Sequence, residues 1–72
     1  MELYLVVEIY AGVLSSVDIF KTLEDAEKFA INEIKILEEI SENEIEEFKE
    51  NGFWENNTCQ FQYIISRNYI HI

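Results

Sequence analysis

The chain has 72 residues, a net charge of -10 and a hydrophobic content of 49%, enough apolar material to exclude disorder but room for only one domain, spanning 1–72. The single cysteine, Cys59, excludes an intrachain disulfide, and one cysteine with one histidine excludes a structural zinc site. So acidic a surface sets the protein against phosphates and anionic membranes, so neither nucleic acid nor a membrane is expected as a direct partner.

Residues 3–9 alternate, with Leu3, Leu5, Val7 and Ile9 on one face and Tyr4, Val6, Glu8 and Tyr10 on the other. Period two with β-branched residues predicts a strand. Ala11-Gly12 supplies a turn, and Val13 to Phe20 resumes extended character, so the first twenty residues form an antiparallel hairpin. Thr22-Leu23-Glu24-Asp25 reads as a helix start, with Thr22 as the cap. Leu23, Ala26, Ala30, Ile34 and Leu37 follow at helical spacing, and Phe29, Ile31, Ile36 and Ile40 lie outside that stripe.

Ser41-Glu42-Asn43-Glu44 is a capping-box pattern, with Ile40 and Ile45 placed as a hydrophobic staple. A break near Ser41 and a second helix to Glu50 are therefore expected, stopped by Asn51-Gly52. One continuous helix from Thr22 to Asn51 is the rival reading. Trp54-Glu55 and Thr58 to Ser66 read as strand around a turn at Asn56-Asn57. Phe61, Tyr63 and Ile65 share a face with Cys59, opposite Gln60, Gln62 and Ile64. Arg67-Asn68 is a further candidate turn, leaving Tyr69 to Ile72 as a short edge strand.

The predicted fold is α+β: two layers, an antiparallel sheet of three to four strands with helices on one face, in the order ββααβ(β). The aliphatic side of the first strand is expected to face the helices. The other face would then carry Tyr4, Val6, Tyr10, Leu14, Phe20, Gln60, Gln62 and Ile64 in some combination, more apolar than a water-facing sheet needs. That surplus, in a short chain without disulfide or metal, predicts a two-fold homodimer.

No catalytic constellation emerges. His71 is next to the last residue of the sequence, Cys59 has no basic neighbour to activate it, and no phosphate loop, nucleophile elbow or metal-ligand spacing is present. No enzyme activity, cofactor or metal is expected. The N-terminal Met1-Glu2-Leu3-Tyr4 lacks the basic region of a signal peptide, so the expected location is the cytoplasm.

The segment Glu38 to Glu50 is the exceptional one, with seven carboxylates and one lysine in thirteen residues. Read as helix, it places like charges four apart at Glu38, Glu42, Glu46 and Glu50, each pair costing about 0.2–0.5 kcal/mol. Over a span of about 20 Å the carboxylates fall about 2.8 Å apart, between the charge spacings of duplex and single-stranded nucleic acid. Such a face suits a basic protein partner, and Glu39, Glu42, Glu46 and Glu50 are its candidate contacts. Trp54, Tyr10 or Phe53 could supply an aromatic anchor.

In its size, its acidity, its Pro-free composition and the segment Glu38 to Glu50, the chain resembles phage-encoded anti-defence proteins of the anti-CRISPR and anti-restriction type. The resemblance implies an inhibitor, acting in the host cytoplasm, that occupies the basic surface of a nucleic-acid-handling complex. The alternatives are a small-molecule or signalling-nucleotide binder, for which Arg67 beside Tyr63 and Tyr69 is the best cationic cluster in the sequence, or a structural homodimer.

Overall fold

A computed structural model of the chain describes residues 2–58 and 60–69, the last of these for its backbone alone. Cys59 and His71 therefore lie outside the described residues, as does most of the expected edge strand over 69–72. The elements run β1 (Glu2–Tyr10), β2 (Val13–Phe20), α1 (Leu23–Leu37), α2 (Glu42–Asn51), β3 (Phe53–Glu55) and β4 (Phe61–Tyr69). This is the α+β class, a four-stranded antiparallel sheet in the order β2-β1-β4-β3 with two helices on one face.

Local chemistry accounts for the boundaries. Ala11 and Gly12 both take positive φ, 52° and 79°, the left-handed pair that a two-residue hairpin turn requires. The Thr22 side chain accepts from the Asp25 backbone N–H at 3.2 Å to start α1. Ser41 accepts from the Glu44 N–H, also at 3.2 Å, to start α2. Residues 38–41 are not helical, so the break forms where the capping box sets it and the continuous helix does not. Gly52 ends α2 at φ 69°, donating to the Phe48 carbonyl at 2.7 Å while its own carbonyl accepts from Ile65 at 2.8 Å.

Two expectations about the C-terminal strands need correction. Arg67-Asn68 is no turn: β4 runs straight through, pairing Arg67 with Tyr4 and Asn68 with Leu3. The strand also begins at Phe61 rather than Thr58, because Asn56 organises the preceding loop. Its Oδ1 accepts from the backbone N–H groups of Gln60 and Phe61 at 2.9 and 3.1 Å.

The covered face is also not the one expected. Val6 is 1% exposed and lies under the helices, and Tyr63 and Trp54 are buried with it. The buried core is completed by Ala26, Ala30, Ile31 and Ile34 of α1 and Ile45 and Phe48 of α2. Tyr4, Phe20, Phe29, Ile40, Phe61 and Ile65 pack around that core. The face of β4 is as predicted, but Tyr4, Val6 and Phe20 point to the helices and Leu3, Leu5, Val7 and Ile9 to the open side. Register explains it: Val6 is opposite Ile65 and Asp18, so the parity of β4 fixes that of β1 and β2. Phe48, Ile34 and Val6 are the largest fully buried side chains, each contributing about 1.5–3 kcal/mol through burial.

Candidate functional site

The charge is segregated by layer. Of fifteen acidic residues, eleven lie between Glu24 and Glu50, on α1, α2 and the link between them. Glu2, Glu8 and Asp18 share the covered parity of the sheet with Val6. Glu55, paired with Gln62 on the open side, is the remaining one.

Glu42, Glu46 and Glu50 occupy successive turns of α2, all exposed, on the side away from the buried Ile45 and Phe48. Glu42 and Glu44 sit in the first turn, where the helix dipole favours carboxylates, whereas Glu46, Glu47 and Glu50 do not. Among the described residues the ion pair formed is Arg67 with Glu2 at 2.9 Å, so no carboxylate of α2 is paired with a cation. Glu39 is exposed but belongs to the link rather than a helix, beside Lys35, Glu38, Ile40 and Ser41 in an open cleft of about 570 Å³. The structure thus unites Glu42, Glu46 and Glu50 on one ridge and leaves Glu39 off it.

Trp54 is a core residue. Only 7% exposed, it packs against Tyr63 with ring centroids 6.3 Å apart. Its neighbour Phe53 is on the open parity and 44% exposed, and Tyr10 is 48% exposed. The other flank of α2 holds residues the sequence reading passed over. Glu44, Glu47 and Asn51 recur at helical spacing and, with Phe53, Trp54 and Glu55 of β3, line a groove of about 310 Å³. The carboxylates that line it make a recess suited to a lysine or arginine side chain through charge. The spacing of Glu44, Glu47 and Asn51 was visible in the sequence. That β3 lies beside it was not.

Arg67 is held on the covered side by Glu2 and by the Tyr4 ring, whose centroid is 5.4 Å from its guanidinium carbon. It lines a cleft of about 200 Å³ with Lys49, but Glu27 and Glu50 line the same cleft, so the fixed charge there offers no net attraction to phosphate. Tyr63, expected as Arg67's neighbour, is instead buried near Glu8 and Glu33. Burial first, then those two carboxylates, push its phenol well above the ordinary 10.0. Among the described residues no group of acidic, cysteine or histidine side chains has the arrangement of a metal site. No helix is long and apolar enough to cross a membrane.

Comparison of the chain with protein-family models, with curated proteins and with solved structures finds no match.

Proposed function

We propose that this is a non-enzymatic, cytoplasmic binding protein whose α2 ridge and adjoining groove engage a basic protein surface. The observation that supports the reading best is the unpaired charge of α2. Glu42, Glu46 and Glu50 form a like-charge ridge with no cation within ion-pair distance among the described residues. Two such pairs cost about 0.2–0.5 kcal/mol each in the free protein, and a cationic partner removes that cost. On the flank, Glu44, Glu47 and Glu55 line one groove, a seat for a single lysine or arginine of the partner. Trp54, committed to the core, takes no part in this reading.

Electrostatic attraction of this kind makes association fast and salt-sensitive. The sharpest form of the proposal is inhibition of a nucleic-acid-handling complex by occupation of its basic channel. Its test is capture from host lysate at low salt by the natural chain and by E42K/E46K/E50K. The natural chain should retain a basic protein that salt releases and the triple variant should not. Capture unaffected by the reversal would sink the reading. The groove is tested by E44Q/E47Q, which should weaken capture without altering helicity.

A further inference from the structure

The open face of the sheet carries a different chemistry from the rest of the molecule. Leu5, Val7 and Ile9 of β1 lie opposite Ile19, Val17 and Leu14 of β2, and all of them share the side away from the helices. Ile64 continues the patch on β4, opposite Val7, and Phe53 adjoins Ile64 from β3. Leu14, Val17, Ile19 and Phe53 are 61, 45, 63 and 44% exposed. A sheet that faces water on one side ordinarily shows polar side chains there.

We propose that this face is the interface of a two-fold homodimer, two copies packing sheet on sheet with their helical layers outward. Charge selects the occupant. Fourteen of the fifteen acidic side chains lie on or toward the helical side, and all five lysines and arginines lie in the helices, in the turn after β2 or on the covered parity of β4. A second copy approaching the helical side meets like charge. Here it meets the aliphatic groups of β1 and β2, with the uncharged Gln62, Ser66 and Asn68 of β4 beside them and Glu55 at the margin. A basic partner drawn to α2 gains nothing from a face without charge.

The area is sufficient. Three strands of eight or nine residues, at about 3.3 Å per residue and about 4.8 Å between strands, give a planar footprint of roughly 410 Å², and roughly 460 Å² once β3 is added. Side-chain relief raises this toward the 600–800 Å² per partner that a specific interface buries. Sheets so packed stand about 10 Å apart, the ordinary spacing of a sandwich core.

Sedimentation over a micromolar concentration range, at low and high salt, tests the proposal on the natural chain and on V17K/I19K. Both substituted side chains are exposed in the single chain, and lysine reduces rather than increases the repulsion between copies. The natural chain should reach twice the 8.6 kDa monomer mass, and salt should tighten the association by screening the repulsion. V17K/I19K should be monomeric with unchanged helicity, and V17T/I19T, which keeps β-branching, should weaken the dimer in the same direction. In a sample mixing labelled and unlabelled copies, methyl contacts should link Leu5 or Val7 of one copy to Ile19 of the other. A natural chain that stays monomeric at both salts overturns the proposal. So does a dimer indifferent to V17K/I19K, which would place the contact on the β2 edge or the helices, and so does a monomer that uses this face to bind neutral lipid vesicles.

Discussion

The two faces of the sheet are built from similar amounts of apolar material and do opposite things. The covered face mixes large rings with a few carboxylates and closes over a core of nine buried residues among those described. Rings meet in pairs at both ends of it, Tyr10 with Phe61 at 4.7 Å and Phe20 with Phe29 at 5.2 Å between centroids. The open face is aliphatic along β1 and β2, mostly polar but uncharged along β4 at Gln62, Ser66 and Asn68, and among the described residues its ring is Phe53. Hydrophobicity by itself therefore does not tell core from surface in this chain. What separates the faces is what α1 and α2 can cover, and the alanines of α1 bring that helix close enough to be filled around by rings.

The contrast can be broken most forcefully at Phe48, which is 1% exposed. Phe48→Ala should cost about 3–5 kcal/mol, comparable with everything a core of this size supplies, so the variant should be largely unfolded by circular dichroism. Ile19→Thr, on the open face, should change monomer stability by no more than about 0.5 kcal/mol in urea titrations at low concentration. Equal losses at the two sites would mean that the open face is as essential to the single chain as the core.

A smaller effect is expected where α2 is fastened to the sheet. Gly52 has φ 69°, and a Cβ there would stand 3.2 Å from the Ile65 carbonyl oxygen. Gly52→Ala should therefore destabilise by about 1–2 kcal/mol, read as a lowered urea midpoint with an unchanged slope. It should leave association through the open face intact, since α2 is on the other side.

The mildest test is alkaline. Because the Tyr63 phenol is raised above its ordinary 10.0 by burial and by Glu8 and Glu33, the folded state holds that proton more tightly than the unfolded one. The associated stability is complete below pH 10.0 and is lost as pH climbs beyond it. Thermal melts should fall over that range for the natural chain and fall less for Tyr63→Phe. Tyr63→Phe melting with the same alkaline slope would show that the buried ring is not the group responsible.

Much of the architecture was legible in local patterns. The hairpin followed from alternation around Ala11-Gly12, the helix starts from Thr22 and Ser41, and the stop of α2 from Asn51-Gly52. The α2 ridge followed too, because Glu42, Glu46 and Glu50 lie one turn apart once the helix is granted. The end of the chain was harder. Arg67-Asn68 has turn-like composition, yet pairing with Leu3 and Tyr4 and the ion pair to Glu2 carry β4 through it. The groove was missed for the same reason: Glu55 and Phe53 reach α2 only because β3 pairs with β4.

Sequence by itself determined the order of strands and helices, the hairpin, the starts of both helices and the concentration of acid on them, but not the bounds of β4. Local hydrogen bonding and side-chain period act within a few residues, so they can be read from neighbours in the chain. Tertiary structure alone decided which side of the hairpin faces inward. Both sides of β1 are apolar, so its alternation has no preferred face. The choice was made across the sheet, where Val6 meets Ile65 and Glu8 meets Tyr63. A shift of one residue there would turn every side chain of the hairpin over, and the packing of Tyr63 and Trp54 beneath the helices holds the register against it.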